Sequence, residues 1–144
     1  MDAVKDAVLV VQDEAKSPIF VSVGEYRKVP RLDVRHYYYP DASGIPAPTK
    51  KGVNLPAEDV MALLDAIEAI EAAETGDPIQ VDVDVRNPIF VSRSMYRGSL
   101  RLDVRHYYDD NGRWQPTRKG ISLPMAEREQ LATAIRTAAP GFIE

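Results

Sequence analysis

The sequence predicts an α+β protein made of two tandem repeats, each an antiparallel sheet followed by one helix. The octapeptide RLDVRHYY occurs twice without change, at residues 31–38 and 101–108. Both copies begin by alternating apolar and polar residues, which is the pattern of a half-buried strand. A proline-led amphipathic segment follows each copy and predicts a helix. Repetition of such a mixed sequence indicates a duplicated structural unit.

The similarity extends on both sides of the octapeptide. Matching segments lie upstream and downstream at nearly constant spacing, so most of each half of the chain belongs to the repeat. The pairs are SPIFVS (17–22) with NPIFVS (87–92), Tyr26-Arg27 with Tyr96-Arg97, PTKKGVNLP (48–56) with PTRKGISLP (116–124), and LLDAIEAI (63–70) with LATAIRTA (131–138).

The first copy carries two extra residues between Tyr38 and Gly44. This segment is rich in turn-forming residues, and insertions collect in loops, so the difference in length predicts a hairpin tip. We place the repeats at residues 1–76 and 77–144. A unit of this size buries little apolar surface by itself, so the repeats are expected to share a core or an interface.

Composition and alternation predict three strands in each repeat. The first, IFVSV (19–23), is β-branched and aromatic. In the octapeptide, Leu32 and Val34 point to one face of a strand, and their charged neighbours point to the other. Val53 and Leu55 share one side of a third, shorter strand. The expected meander therefore has one buried face and one face in contact with water.

The two repeats are least alike around their first strands and first turns. Alternation predicts that IQVDVDV (79–85) extends the first strand of repeat 2, whereas the corresponding LVVQDEA (9–15) alternates less regularly. Repeat 1 has Lys28-Val29-Pro30 where repeat 2 has Gly98-Ser99-Leu100, so the first hairpin turn is expected to differ between them.

Each helix is expected to follow a proline, Pro56 or Pro124, because proline fits the first helical turn. In repeat 2, Leu131 and Ile135 lie at helical spacing, and Pro140 ends the helix. In repeat 1 the segment 57–73 has an apolar stripe with acids on the opposite face. The members of that stripe are Val60, Leu63, Leu64, Ile67 and Ile70.

The composition limits the chemistry that is available. Hydrophobic residues make up 44% and charged residues 28% of the chain, as in a globular protein, and there is no cysteine. Disulfides, thiolate metal ligands and a cysteine nucleophile are therefore excluded. The apolar run at residues 7–11 is too short for a membrane span or a signal sequence, so no membrane association is expected.

The net charge of −4 is unevenly distributed. Seven cations and three acids lie in residues 16–52, and eight cations and three acids lie in residues 86–120. Residues 56–74, which include the first predicted helix, hold six acids and no cation. The predicted sheets are therefore basic although the chain is acidic, and this division favours an anionic partner for the sheets.

Cations and tyrosines are mixed along the predicted sheets. Single-stranded nucleic acid is bound by this combination, because cations meet phosphates and exposed rings stack on bases. An alternative stays open, since tyrosine and arginine also make ordinary cross-strand pairs. The residues are Tyr26, Arg27, Arg35, Tyr37 and Tyr38 in repeat 1, and Tyr96, Arg97, Arg105, Tyr107 and Tyr108 in repeat 2.

His36 and His106 follow Asp33 and Asp103 by three residues. Residues three apart on a strand point to opposite faces, so a catalytic pair is not expected. One histidine in each repeat is also too few for a local metal site. We expect the aspartates to pair with the flanking arginines, and we predict no catalytic residue, metal site or cofactor.

The order of these residues resembles the positive cofactor four family of transcriptional coactivators, whose C-terminal domain binds single-stranded DNA. An aromatic–basic pair follows the first strand. An aliphatic–Asp–aliphatic–Arg strand ending in aromatics comes next, followed by Pro-x-(Arg/Lys)-Lys-Gly-(Ile/Val)-x-Leu before a helix. The most specific stretch is LDVRHYYDDNGRWQPTRKGISLP (102–124), and the similarity covers nearly all of both repeats.

The resemblance implies two β-β-β-β-α repeats, each a curved four-stranded antiparallel sheet with a C-terminal helix. Family members dimerise through this unit, so the repeats are expected to form that dimer within one chain, and the chain to be a monomer. The DNA-contacting positions of the family match Tyr26, Arg27, Arg35, Tyr38 and Lys51, then Tyr96, Arg97, Arg105, Tyr108 and Lys119; Lys50, Trp114 and Arg118 are their neighbours.

Alternation leaves one difficulty with this site. Arg35 and Tyr38 are three residues apart, so both reach the same DNA strand only if the end of the protein strand twists or bulges. The strand-end aromatic residue, often tryptophan in the family, is tyrosine in both repeats.

The expected function is non-enzymatic binding of single-stranded DNA with weak sequence preference, in transcription, replication or repair. Two alternatives remain. One is RNA binding, and the other is a protein-interaction module that contacts the transcription machinery through the acidic helix face (58–74). The expected location is the nucleus in a eukaryote, and the cytoplasm with its nucleoid in a prokaryote.

Overall fold

A computed structural model describes residues 8–11, 17–72, 77–82 and 86–143. It confirms the predicted α+β class, with four strands and one helix in each repeat. The strands are β1 (Val8–Val11), β2 (Ile19–Tyr26), β3 (Val29–Tyr38), β4 (Ala47–Pro56), β5 (Ile79–Gln80), β6 (Ile89–Tyr96), β7 (Ser99–Asp110) and β8 (Arg113–Pro124), and the helices are α1 (Val60–Ala72) and α2 (Arg128–Ala138).

The strands form two antiparallel sheets of order β1-β2-β3-β4 and β5-β6-β7-β8. The prediction that residues 79–85 extend the first long strand of repeat 2 was wrong. Ile79 and Gln80 form a separate strand antiparallel to β6. The carboxylate of Asp82 accepts a 2.6 Å hydrogen bond from the backbone N–H of Ile89, which ties the residues after β5 to the start of β6. Residues 12–16 and 83–85 lie outside the described part of the chain.

The first hairpin turn has the same form in both repeats, so the prediction that it differs was wrong. Arg27 and Lys28 have φ of 51° and 66°, and Arg97 and Gly98 have φ of 50° and 78°. Two residues with positive φ are typical of the tight turns whose twist matches that of antiparallel strands. The geometry of the hairpin therefore overrides the backbone preference of Lys28. This lysine adopts a left-handed conformation that glycine adopts more readily.

The second hairpin does differ, as the length difference predicted. In repeat 1, β3 and β4 are joined by residues 39–46. In repeat 2, the ladder between β7 and β8 continues to a two-residue turn at Asn111 and Gly112, both with positive φ. The carboxylate of Asp109 accepts a 2.7 Å hydrogen bond from the N–H of Gly112 and closes this turn.

The predicted alternation is confirmed by burial. Leu32, Val34, Val53 and Leu55 are buried, whereas the charged neighbours of Leu32 and Val34 keep part of their surface exposed. The predicted stripe of α1 is buried as well. Each such side chain contributes about 1.5–3 kcal/mol through removal of apolar surface from water.

The two repeats share one core. Helix α1 packs against β6 in the sheet of repeat 2, and α2 packs against β1 and β2 in the sheet of repeat 1. Strands β4 and β8 lie next to each other, and the apolar core is one cluster with members from both repeats. Each helix therefore covers the sheet of the other repeat, which makes the chain an internal pseudo-dimer. The boundary at residues 76 and 77 stays a prediction, because residues 73–76 are not among those described.

Candidate nucleic-acid interface

The PTKKG and PTRKG segments form a bulge in the last strand of each sheet. Arg35 lies opposite Gly52, whereas Tyr37 lies opposite Pro48. Three residues of β4 therefore face the single residue His36 of β3. The same shift separates the pairs of Arg105 with Gly120 and Tyr107 with Pro116 in repeat 2. The repeated motif thus builds the same local irregularity twice.

A threonine side chain holds each bulge in place. The hydroxyl of Thr49 donates to the carbonyl oxygen of His36 at 2.8 Å and accepts from the N–H of Lys51 at 3.0 Å. Thr117 makes the equivalent two bonds in repeat 2. The hydroxyl thus satisfies backbone groups that have no partner in the ladder at the bulge. The bulge is stable for this reason, and the basic side chains that it carries are exposed. These exposed cations are Lys50, Lys51, Arg118 and Lys119.

The glycine of the motif is required by close packing. A Cβ atom at Gly52 would lie 2.7 Å from the Cβ of Arg35 and 2.8 Å from the carbonyl oxygen of Val34. At Gly120 the corresponding distances to Arg105 and Val104 are both 2.7 Å. Any side chain would therefore push the bulged strand away from the arginine.

Arg35 is held by protein groups. Its Nη2 lies 2.8 Å from Oδ1 of Asp33, its Nε also donates to this carboxylate, and its Nη1 donates to the carbonyl oxygen of Thr49 at 2.9 Å. Arg105 makes the matching contacts with Asp103 and a threonine carbonyl. The predicted pairing of the aspartates with flanking arginines is confirmed.

The hydrogen bond to Asp33 raises the pKa of Arg35, although burial acts in the opposite direction, and the pKa of Arg105 is raised for the same reasons. Each arginine therefore stays charged and links its own strand, β3 or β7, to the neighbouring strand, β4 or β8. Nη1 and Nη2 each carry a second N–H, and these can still donate to a phosphate.

The histidines support the backbone. Nδ1 of His36 lies 3.1 Å from both the carbonyl oxygen and the hydroxyl oxygen of Ser17. The tautomer with its proton on Nδ1 donates to this carbonyl oxygen and leaves Nε2 as an acceptor. Nε2 then accepts the backbone N–H of Ser122, in the other repeat, at 3.4 Å. Nδ1 of His106 donates to the carbonyl oxygen of Asn87 at 2.8 Å. Within the described residues, no group of three or more His, Asp or Glu side chains is placed to hold a metal ion.

Cations from both repeats meet in two pockets of about 410 and 480 Å³. The two pockets correspond to each other position by position, which reflects the pseudo-twofold relation of the repeats. The first is lined by His36 and Lys51 of repeat 1 with Arg105, Arg118, Gly120 and Ser122 of repeat 2. The second is lined by Arg35, Lys50, Gly52 and Asn54 of repeat 1 with His106 and Lys119 of repeat 2.

The tip of the first hairpin in each repeat carries a predicted tyrosine–arginine pair. The side chains of Tyr26 and Tyr96 are 61% and 56% exposed, so their rings are open to a ligand. The guanidinium carbons of Arg27 and Arg97 each lie 5.2 Å from the adjoining tyrosine ring centroid, a cation–π arrangement. These tips lie at the opposite end of β3 and β7 from the bulges, so they are not among the residues that line the two pockets.

The two tyrosines of each octapeptide differ in how far they are exposed to solvent. Tyr37 is only 3% exposed and packs edge-on against Phe20, with ring centroids 4.8 Å apart, so its predicted exposure was wrong. Tyr107 is half-buried against Phe90. Tyr38 and Tyr108 are exposed.

The bulge does not bring Tyr38 to the face of Arg35. It lies in β4, while β3 keeps its regular register with β2 as far as His36. Alternation then places Tyr38 on the same face as His36, which lines the first pocket with Arg105 of the other repeat. Tyr38 itself is not among the residues that line this pocket.

The residues that complete the pockets were not predicted from the sequence; they are the histidines, the glycines, Asn54 and Ser122. The glycines could have been predicted as part of the site, because the whole PT(K/R)KG segment is repeated. Trp114, which was predicted as a neighbour of the site, lies on β8 near the second hairpin tip with 46% of its side chain exposed.

By its fold and this surface, the protein is an α+β pseudo-dimer whose sheets expose basic and aromatic side chains. The family model for Transcriptional Coactivator p15 (PC4) matches residues 14–66 and 84–134, one segment in each repeat. These segments make up more than half of the chain, so the protein belongs to the PC4 family.

A protein of Neurospora crassa described as "Putative RNA polymerase II transcriptional coactivator" is 38% identical to this chain over 45 residues. The match covers 31% of this chain and 26% of that protein. Among the described residues, neither helix is long and apolar enough to cross a membrane.

Proposed function

We propose that this protein binds single-stranded DNA with weak sequence preference and acts by binding, without catalysis, as a transcriptional coactivator. The observation that carries the proposal is the pair of pockets in which cations of both repeats converge. Phosphate groups are the natural ligands of such clusters, since lysine and arginine neutralise them and release counterions.

The exposed rings favour a single strand over a duplex. Tyr26, Tyr38, Tyr96 and Tyr108 are between 44% and 61% exposed, and unpaired bases can stack on such rings. Sequence-specific duplex readers place a helix or a β-ribbon in the major groove. Here α1 and α2 are packed on the sheets, and α1 exposes Asp65 and Glu68, which repel a phosphate backbone.

An anisotropy titration with labelled oligo-dT, oligo-rU and a duplex tests the proposal. We expect oligo-dT to bind most tightly. If about four to six phosphates are neutralised, the logarithm of the affinity should fall with the logarithm of the salt concentration with a slope of about −3 to −4. Tighter binding of oligo-rU would support RNA as the ligand, and a slope near zero would contradict phosphate binding by these cations.

A matched pair of variants locates the site. Lys51→Ala removes one exposed cation from the first pocket, and Arg136→Ala removes one exposed cation from α2. Both changes alter the net charge equally. We expect Lys51→Ala to weaken binding of oligo-dT and to reduce the salt slope by about 0.7, and Arg136→Ala to leave both nearly unchanged. Equal effects would indicate general attraction to the charge of the protein, and would contradict a site at the bulges.

A second candidate function is contact with the transcription machinery through α1. The helix exposes Met61 together with Asp65 and Glu68, so it presents an acidic surface that includes an exposed methionine. The side chains of Glu71 and Glu74, which belong to the same predicted acidic face, lie outside those that the structure describes. Both functions would be exercised where DNA is transcribed, in the nucleus of a eukaryote or the nucleoid of a prokaryote.

A further inference from the structure

The two repeats differ most in the hairpin that follows the octapeptide. In repeat 1 the ladder ends at the pair of Tyr38 with Ala47, and residues 39–46 form a loop. In repeat 2 the ladder continues through Asp109 opposite Trp114 and Asp110 opposite Arg113. Repeat 2 therefore has a longer, regular hairpin where repeat 1 has an irregular connection.

Trp114 is fixed at the base of this extension. Its ring centroid lies 5.7 Å from that of Phe90, which in turn lies 4.8 Å from the ring of Tyr107. Phe90 is 8% exposed, whereas Trp114 is 46% exposed. The indole is thus packed against a buried ring on one side and open to solvent on the other, a combination suited to stacking with a base.

Repeat 1 has no equivalent of this indole. The residue at the corresponding position is Pro46, which has no aromatic side chain. The tryptophan therefore breaks the pseudo-twofold symmetry on a surface whose cations are otherwise arranged in equivalent pairs.

We propose that Trp114 is a base-stacking platform present in repeat 2 alone, and that it makes a single strand crossing both repeats bind in one 5′→3′ direction. This inference rests on the proposed function. On a surface with exact twofold symmetry the two directions of a strand are equivalent, because the rotation exchanges them. A ring on one side only removes that equivalence, since either the 5′ half or the 3′ half of the strand must lie against it.

The protein contains one tryptophan, so its intrinsic fluorescence reports on repeat 2 alone. The probe is an oligo-dT of the shortest length that reaches full affinity, carrying a quencher at its 5′ end or at its 3′ end. We expect one of the two labelled strands to quench Trp114 much more strongly than the other. Equal quenching by both strands, with binding confirmed by anisotropy, would overturn the inference while leaving the proposed function intact. Absence of binding would overturn both.

Substitution tests the stacking itself. We expect Trp114→Ala to weaken the binding of a dye-labelled oligo-dT about 5- to 150-fold, and Trp114→Phe, which keeps a ring on the same hairpin, to weaken it less. Tyr39→Ala removes a ring of similar exposure from the loop of repeat 1 and should change the affinity little. Thermal melts identify any loss of fold. Unchanged affinity in a folded Trp114→Ala variant would overturn the inference.

A symmetrised chain gives the sharpest comparison. Replacing residues 39–46 by the sequence of residues 109–114 gives repeat 1 the hairpin of repeat 2, and the two-residue difference in length is removed as well. Because this variant has a second tryptophan, a dye on a cysteine introduced by Asp110→Cys, in a chain that otherwise has no cysteine, reports on repeat 2 in both the variant and the parent. We expect the variant to bind oligo-dT at least as tightly as the parent and to lose the difference between 5′- and 3′-labelled strands. A directional difference that persists in this variant would show that another feature sets the direction, and would overturn the role assigned to Trp114.

Discussion

The imidazole of His36 accepts the backbone N–H of Ser122, 86 residues away in the sequence, at a distance of 3.4 Å. This contact joins β3 of repeat 1 to β8 of repeat 2, beside the seam where β4 and β8 lie together. Helix α1 of repeat 1 crosses this seam onto the sheet of repeat 2, and helix α2 of repeat 2 crosses it onto the sheet of repeat 1. Separating the repeats would therefore expose apolar core on both of them.

The first prediction concerns oligomeric state. Because each repeat already provides the surface that the other needs, we expect the free protein to be a monomer of 16.0 kDa that unfolds in one cooperative transition. Light scattering over a wide concentration range measures the mass, and urea unfolding measures the cooperativity. A dimer that persists on dilution would contradict internal pairing and favour two chains that exchange repeats.

The second prediction concerns the bulge. Gly52→Ala places a Cβ atom 2.7 Å from the Cβ of Arg35, and neither strand can move without disturbing the core beneath. We expect a loss of about 1–3 kcal/mol in the free energy of unfolding, the usual cost of overpacking. Urea unfolding measures it, and Gly120→Ala should behave alike.

Gly24→Ala is the control for this substitution. Gly24 also lies in a strand, but a Cβ atom there would have no neighbour within 4 Å. Because alanine restricts the unfolded chain more than glycine does, this variant should be neutral or slightly more stable than the parent. Equal destabilisation by Gly24→Ala and Gly52→Ala would show that the close approach to Arg35 is unimportant.

The third prediction concerns pH. Burial raises the pKa of Asp59, and the carboxylates of Asp82 and Glu58 add to this effect, against a smaller opposing effect of Arg31. A raised pKa means that the folded state binds this proton more tightly than the unfolded state. Stability from this group is therefore lost as pH rises from the ordinary aspartate range through the raised value.

Asp59→Asn removes this dependence. Relative to the parent, the variant should gain stability as the pH increases from acidic to neutral, by less than about 1 kcal/mol because the site is partly exposed and screened by solvent. Asp65→Asn, which changes an exposed carboxylate of α1, is the control. Urea unfolding at a series of pH values measures both, and a difference between Asp59→Asn and the parent that is independent of pH would refute the assignment.

Much of the fold could be predicted because its signals are local. Alternation of Leu32 with Val34 identified the buried face of β3, and the stripe on α1 identified the face of the helix that enters the core. The crossing of α1 onto β6 could not be predicted, because an apolar stripe does not specify which sheet covers it. The matching turns were missed because Lys28 adopts a conformation for which its own preference is weak.

The cations and exposed rings of the candidate site were predicted individually, but its histidines, its glycines and its assembly were not. Composition and the resemblance identified the cations and rings. The bulge at residues 49–51 depends on pairing between strands, which has no signal in a single strand. Pairing across the seam, which makes Lys51 and Arg105 line one pocket, depends in addition on the shared core.

The last prediction concerns the two exposed tyrosines of the octapeptide. Tyr38 and Tyr108 are 46% and 44% exposed, and each follows by two residues a histidine that lines a pocket with cations of the other repeat. If each ring holds one base next to a phosphate in that pocket, the double variant Tyr38→Ala with Tyr108→Ala should lose about 1–3 kcal/mol of binding free energy per ring. Titration with oligo-dT measures the loss, and little change in melting temperature is expected because both rings lie outside the core.

The controls separate stacking from folding. Tyr38→Phe with Tyr108→Phe keeps both rings and should retain most of the affinity, since stacking does not need the hydroxyl. His36→Ala with His106→Ala should instead lower the melting temperature, because it removes the imidazole that accepts the N–H of Ser122. If the double alanine variant of the tyrosines melts like the parent and still binds oligo-dT with unchanged affinity, the rings do not stack on bases. The octapeptide would then be repeated for the core and the seam, to which Tyr37 and His36 belong.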